Sequence, residues 1–279
     1  MANILVANIP AFPNPANPDH KIKLNEAKVR QALQFSGLNP DMEEASLTAF
    51  LNEVQDPASF VDSRTWTAQT RKLAMFWYAV QTLDDSKMTA DYDCPHCGKM
   101  HSHRYDLRNF AAQFTVIQGK PYREFTFNDE LVRVSTLNGE AMENLELARQ
   151  GLHKPKQKEE LTTEQEDHNR KLLAHIRLRM LVLSVDYPND LTEDQTERFN
   201  RKESKINAMT IRQKDAFEAE VWRLQAEMEH GLKMDADETG ELYLNVGSHV
   251  CPNKKTEEGV VLSTALRVPF RNYSAIPVV

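Results

Sequence analysis

The sequence contains few cysteines and no long apolar segment. Its 279 residues include three cysteines, Cys94, Cys97 and Cys251. An odd count that includes a Cys-x-x-Cys pair favours a reducing compartment and metal binding over a disulfide framework. No apolar run approaches the roughly 20 residues that a membrane-spanning helix needs. The first 20 residues also lack the basic start of a signal peptide. We therefore expect a soluble protein that is made and assembled in cytoplasm and does not enter a membrane.

An excess of positive charge is also lacking. The formal net charge is −7, and binding to phosphate backbones needs a basic face. Cationic clusters do occur, as at 154–158, but acidic residues follow there at once. This balance argues against nucleic acid as a main partner. The hydrophobic fraction of 41% is sufficient for a packed core, which excludes global disorder.

The common motifs of enzymes are missing. The chain has no phosphate-binding or dinucleotide-binding glycine loop, no His-Glu-x-x-His and no Gly-x-Ser-x-Gly. Carboxylate pairs such as Asp84-Asp85 lie in polar runs, where a solvated surface is the ordinary explanation. Histidines such as His153, His168 and His175 are scattered without an implied nucleophile. The sequence predicts no catalytic residues, and we expect that the protein is not an enzyme.

The segment Cys94-Pro95-His96-Cys97-Gly98 lies between two strand-like stretches. A turn of this type directs both thiolates at one point, and Gly98 supplies the permissive backbone that a tight loop needs. Zinc prefers four tetrahedral ligands from cysteine and histidine. We predict a Zn²⁺ site with Cys94 and Cys97 as two ligands and Cys251 as the third.

The fourth ligand is open among three histidines, His249 and, on the strand after the first knuckle, His101 and His103. His249 lies two residues before Cys251 and therefore on the same face of a strand, while His101 lies on the strand that returns from the turn. We favour His249 over His101. A complete zinc ribbon would carry a second Cys-x-x-Cys, but Lys254 occupies its last position. A metal-free hairpin therefore remains an alternative, and a zinc-dependent enzyme would need an open coordination position.

Helical and strand patterns alternate along the chain and predict an α+β fold with two cysteine-containing β-hairpins. Helices are expected over about 25–35, 41–54, 63–83, 140–150 and 164–185, and another begins at Thr210, where Gln213 completes a capping box. Hairpins are expected at 89–107, 121–137 and 241–270. In the last of these, the strands are expected at 241–250 and 260–270, with a loop that begins at Cys251. The predicted divisions are an extended N-terminal arm (1–20), a helical region (21–85), a cysteine hairpin with strands (86–150), a charged loop (151–166), a second helical region (167–232) and a C-terminal hairpin with tail (233–279).

Two details of this organisation bear on assembly. Four prolines in the arm favour extended backbone, which either dangles or lies on a neighbouring subunit. The helix that begins at Thr210 carries a stripe of Phe217, Val221, Leu224 and Met228, which should be buried. The stripe can face either the core or another subunit.

The order of these segments resembles the baseplate hub family of long-tailed bacteriophages, typified by a hub subunit of the T-even phages. The resemblance is carried by the Cys-Pro-x-Cys-Gly knuckle after a helix, by Arg104–Leu107, by the strand-and-glycine step 132–139, by Cys251-Pro252 and by the strand Leu266-Arg-Val-Pro-Phe270. It covers roughly residues 65–279. The chain departs from the family pattern at Lys254, where a cysteine that could bind the metal is missing.

The resemblance implies a structural subunit of the tail baseplate near its hub, located in the virion and assembled in the host cytoplasm. Its partners would be other baseplate or tail proteins. The alternative is a tail-assembly chaperone that shields the tape-measure protein and is absent from the mature virion. Long amphipathic helices and the charged loop would suit a protein that grips helices transiently.

Overall fold

The computed structural model describes residues 8–35, 42–83, 86–111, 113–154, 161–236, 242–255 and 261–269. Over these residues the chain contains eight α-helices and ten β-strands, which confirms the predicted α+β class. The helices are α1 (Val29–Phe35), α2 (Glu43–Val54), α3 (Ala68–Thr82), α4 (Arg108–Ala111), α5 (Gly139–Arg149), α6 (Thr163–Ser184), α7 (Gln195–Asn207) and α8 (Ile211–Glu227). The strands are β1 (Phe12–Asn14), β2 (Asn17–Ile22), β3 (Lys87–Asp93), β4 (Met100–Asp106), β5 (Tyr122–Phe127), β6 (Glu130–Ser135), β7 (Val185–Asp186), β8 (Met234–Ala236), β9 (Leu242–Lys255) and β10 (Val261–Pro269).

The strands form four small antiparallel sheets in the described part of the chain. Two are the hairpins β1-β2 and β3-β4, and two are three-stranded, in the orders β5-β6-β7 and β10-β9-β8. The turn between β5 and β6 places Asn128 and Asp129 at positive φ, 48° and 63°, which matches the tight hairpin turn predicted there. An isolated two-stranded hairpin is at best marginally stable in water, so β1-β2 and β3-β4 depend on packing against the rest of the chain.

Helix α3 lies at the centre of the first hydrophobic core. Its buried side chains include Leu73, Met75 and Phe76, and they pack with α1, α2, the β1-β2 hairpin and the sheet of β8, β9 and β10. The helix begins later than predicted, because Ser63–Thr65 forms a separate 3₁₀ turn. The Thr67 hydroxyl then accepts a hydrogen bond from the N–H of Thr70 and caps α3.

The described N-terminal residues fold against their own chain, which differs from the predicted extended arm. Phe12 is 2% exposed, and its ring lies 5.2 Å from that of Trp77. The indole N–H of Trp77 donates to the carbonyl oxygen of Pro10 at 2.8 Å. Proline favours extended backbone, but here the extended segment pairs with itself as a hairpin and covers apolar surface that α3 would otherwise expose.

The second hydrophobic core lies between the sheet of β5, β6 and β7 and helices α6, α7 and α8. The capping box of Thr210 and Gln213 is present at the start of α8, as predicted. The stripe on α8 is buried in this core, with exposed fractions of 0% for Phe217, 0% for Val221, 5% for Leu224 and 0% for Met228. The stripe therefore faces the core of its own chain.

Helix α7 lies in a stretch that the sequence pattern left without a predicted element. Its residues are mostly polar, and the few apolar ones, Phe199 and Ile206, face the second core. A local signal was present, since the Asp194 carboxylate accepts from the N–H of Glu197 and caps the helix. Helix α6 begins at Thr163, close to its predicted start at 164, with a second capping box formed by Thr162 and Gln165. Residues 155–160 of the predicted charged loop lie outside the described residues.

Charged groups connect α2, α3 and α5. The N-cap residue of α2, Met42, offers no side-chain cap, and the Glu146 carboxylate from α5 accepts instead from the backbone N–H of Glu44 at 2.8 Å. Arg71 of α3 is fully buried, and its guanidinium lies 3.1 Å from a Glu44 carboxylate oxygen and donates to the hydroxyl of Thr48 at 2.8 Å. A buried cation requires such partners, so these contacts fix α2, α3 and α5 relative to one another.

The first strand of the C-terminal hairpin is longer than predicted. Strand β9 continues through Cys251 to Lys255, so Cys251 lies within a strand and does not open a loop as expected. Its partner β10 runs antiparallel, with Ser263 opposite Val250. The apolar tail, 273–279, lies outside the described residues.

Candidate metal centre

The first cysteine pair lies in the turn between β3 and β4. The N–H of Cys94 donates to the carbonyl oxygen of Lys99 at 3.0 Å, and the N–H of Gly98 donates to the carbonyl oxygen of Cys94 at 2.8 Å. Gly98 has a φ of +66°, a conformation that a side chain disfavours. The turn therefore holds Cys94 and Cys97 in the knuckle arrangement that the sequence predicts.

Strand β9 brings the third cysteine to this turn. Cys251 is 3% exposed and Cys94 is 1% exposed, so both thiols are shielded from solvent. The Nε2 of His96 lies 3.1 Å from the carbonyl oxygen of Ser263 and connects the knuckle to β10. The three cysteines meet because the two hairpins pack against each other.

His101 completes a four-donor cluster with the three cysteines. The ligand atoms of Cys94, Cys97, His101 and Cys251 all lie within 4.8 Å of one another. The sulfur of Cys97 lies 3.2 Å from Nε2 of His101. Ligand atoms around a tetrahedral metal with about 2.3 Å bonds are separated by roughly 3.8 Å. The cluster could hold a metal ion after small adjustments of its side chains.

His249, the favoured fourth ligand in the sequence analysis, is not part of this cluster. It shares the strand face of Cys251 as predicted, but its Nδ1 lies 2.6 Å from the hydroxyl of Tyr92. Its ring also lies 6.2 Å from that of His101 and 5.2 Å from that of His103. Two residues along a strand span about 7 Å, so the Cys251 sulfur reaches the knuckle while His249 packs beside it.

The surroundings of the cluster favour thiolate. Burial alone would raise the pKa of Cys94, but the N–H groups of Cys97 and His96, with the neighbouring thiols, lower that pKa to about 7. Burial raises the pKa of Tyr92, and the adjacent cysteines raise it further. The side-chain amide of Asn253 lies 3.8 Å from the sulfur of Cys97 and donates to it. The backbone N–H groups beside Cys94 and the amide of Asn253 support the anionic form that metal ligands need.

Sequence reasoning missed the residues that surround the cluster. Tyr92 lies two residues before Cys94 on β3, and strand periodicity would have placed both on one face. Asn253 lies between Cys251 and Lys254, in the segment where a complete zinc ribbon would carry its second Cys-x-x-Cys. The side chain of Lys254 lies outside the described part of the chain. The first hairpin, through His101, supplies the donor that the second hairpin lacks.

The four donors are all protein side chains, three sulfurs and one imidazole nitrogen. An arrangement of this kind fills a tetrahedral coordination sphere without water.

No protein-family model, curated protein or solved structure matches the chain. In the described residues, no helix is long and apolar enough to cross a membrane.

Proposed function

We propose that this protein is a structural subunit of a bacteriophage tail baseplate, near its hub, and that its Cys₃His cluster binds Zn²⁺. The observation that carries the proposal is the closed set of Cys94, Cys97, His101 and Cys251, which joins two hairpins. A metal with no open position stabilises a fold and does not activate water. The protein would then act through the surfaces that its fold fixes in place.

Zinc is the metal that best suits these donors. Thiolate and imidazole ligands in a four-coordinate site are typical of zinc, whereas calcium and magnesium require oxygen ligands. Cys251 follows His101 by 150 residues, so one ion would connect distant parts of the chain. The binding free energy of such an ion adds to the free energy of folding.

The baseplate assignment is supported by where the resembling motifs fall. The knuckle lies in the turn between β3 and β4, and this hairpin is the next element after α3. The step 132–139 contains most of β6 and ends at the first residue of α5, and residues 266–269 form the end of β10. These three motifs lie at elements of the expected kind, whereas Cys251-Pro252 lies within β9 and not in a loop. The assignment to a virion and to baseplate or tail partners rests on this order of motifs.

The chaperone alternative receives less support. It was motivated by long amphipathic helices that would grip the tape-measure protein, but the apolar stripe of α8 is buried against its own core. Val182 of α6 is 0% exposed in the same core. Helices whose apolar faces are already covered have little to offer a helical client.

Quantitative mass spectrometry of purified, intact virions of the encoding phage tests the proposal. A baseplate subunit should be present at a fixed copy number relative to other tail proteins. A phage with Cys251→Ser should accumulate unassembled hubs, whereas one with His249→Ala should assemble tails. Presence in tail intermediates but absence from virions would favour the chaperone, and absence from both would overturn the baseplate assignment.

A further inference from the structure

A second site is suggested by a cavity on the side of α3 that faces the segment after α8. The cavity has a volume of about 310 Å³, at the lower end of the range of small-molecule sites. Its walls are partly apolar, with Leu137, Met142, Leu232 and Met234. Lys72 of α3 is the cationic residue among those that line it.

Lys72 differs from its neighbour Arg71 in how its charge is compensated. Arg71 has Glu44 and Thr48 as partners. The Lys72 ammonium makes no hydrogen bond or ion pair within the described residues. Lys72 is half-buried, and a lysine that loses part of its hydration without gaining a hydrogen-bond partner is unfavourable.

The charged groups around Lys72 offset this cost only in part. Burial lowers the pKa of the ammonium, by more than the carboxylates of Glu44 and Glu43 raise it. His230 also lines the cavity, but both of its ring nitrogens are already engaged, with Thr67 and with the carbonyl of Met228. A ligand that supplies a negative charge would add to the partial compensation of Lys72 by Glu44 and Glu43.

Two further polar atoms belong to residues that line the cavity. Oε1 of Gln69 and Oγ1 of Thr136 are covered and have no hydrogen-bond partner in the described chain. Each can be turned towards the cavity by rotation of its side chain. Glu229 is the one carboxylate among the lining residues and is exposed, where solvent and salt screen its charge.

We propose that this cavity binds a small organic carboxylate with a short apolar chain. The carboxylate would pair with Lys72, and the chain would contact Met142, Leu232 and Met234. A monoanion suits a site with a single cation, whereas a phosphate dianion would need several more donors. The site is independent of the metal cluster and of the baseplate assignment.

Methionine-methyl NMR of the full chain tests the proposal with butyrate as the probe. Butyrate should shift the methyl signals of Met142 and Met234 in a saturable way. The Lys72→Met variant should bind butyrate at least about tenfold more weakly, since it loses one charge-assisted hydrogen bond. The Lys171→Met variant, which removes an exposed lysine from α6, should bind as the wild type does.

Butyramide provides a test that needs no variant. It has the size of butyrate without the charge, so the wild-type protein should bind it at least about tenfold more weakly than butyrate. Equal shifts by both compounds would show that Lys72 does not recognise the charge. Equal shifts, or no saturable effect of butyrate on the two methyl signals, would overturn the proposal.

Discussion

The hydroxyl of Thr67 lies 2.6 Å from Nε2 of His230 and joins the start of α3 to the segment after α8. Nδ1 of His230 lies 2.6 Å from the carbonyl oxygen of Met228, so Nδ1 carries a proton and donates to it. The imidazole is 1% exposed. Burial disfavours the charged imidazolium, so the folded chain favours a neutral histidine at this position.

The neutral state of His230 predicts a loss of stability in acid. Burial lowers its pKa in the folded chain, and the Met228 carbonyl and the charge of Glu229 oppose this only in part. The unfolded chain, with a histidine pKa of about 6.5, then binds the proton more tightly than the folded chain does. The free energy of unfolding should be constant above about pH 6.5 and should fall as the pH drops through that value.

Urea unfolding of the wild type and of His230→Gln, from about pH 8 to pH 5, measures this effect. The variant should be less stable at neutral pH, but its free energy of unfolding should decrease less in acid. Acid also weakens metal binding, but the cluster is the same in both proteins, so their difference isolates His230. Parallel pH profiles would contradict the prediction.

The metal cluster predicts different outcomes for its two neighbouring histidines. His101→Ala removes a donor and should lower the zinc content of the purified protein and its melting temperature together. His249→Ala removes a ring that contacts Tyr92 but no donor of the cluster, so about one zinc per chain should remain. Elemental analysis after dialysis, with Cys97→Ser as the metal-free reference, distinguishes them. Retention of zinc by His101→Ala and its loss from His249→Ala would restore the ligand set favoured from the sequence.

Gly139 predicts a steric cost at the junction of α3 and α5. A Cβ atom at this position would lie 2.5 Å from Nη1 of Arg71 and 2.9 Å from the Cα of Arg64. Because Arg71 is buried and paired, it cannot move without loss of its contacts, and Gly139→Ala should cost about 1–3 kcal/mol of stability. Chemical denaturation measures this cost. In Gly151→Ala the new methyl would meet mainly the flexible end of Leu172, at 3.0 Å, so the cost should be smaller. Equal effects at the two glycines would indicate that Arg71 yields easily.

The apolar stripe of α8 predicts a large loss from truncation of Leu224. This side chain is 5% exposed in the second core, and Leu224→Ala should lower the free energy of unfolding by about 2–5 kcal/mol. Leu173 on α6 is 52% exposed, and its truncation to alanine should change stability by less than about 0.5 kcal/mol. Urea unfolding of the isolated chain provides both values. A negligible loss at Leu224 would mean that the stripe is not packed in the free chain.

Much of the fold could be predicted because its signals are local. The Thr210 capping box, the Asn128-Asp129 turn and the stripe of α8 each depend on residues close in sequence, and the structure confirms them. Helix α7 was missed because its polar residues outweigh the few apolar ones, although Asp194 and Glu197 carry a capping signal. The N-terminal prolines predicted extended backbone, but their pairing as a hairpin on α3 depends on an apolar surface far along the chain.

The sequence by itself determined the α+β class, the knuckle of Cys94 and Cys97 and the involvement of Cys251. Short-range backbone preferences and the chemistry of thiol ligands were sufficient for these. Only the tertiary structure decided that His101 joins the cluster and that His249 contacts Tyr92, because both histidines lie on suitable strand faces. The choice between them depends on how β3 and β4 pack against β9. That packing is a sum of contacts between distant segments, which no local pattern contains.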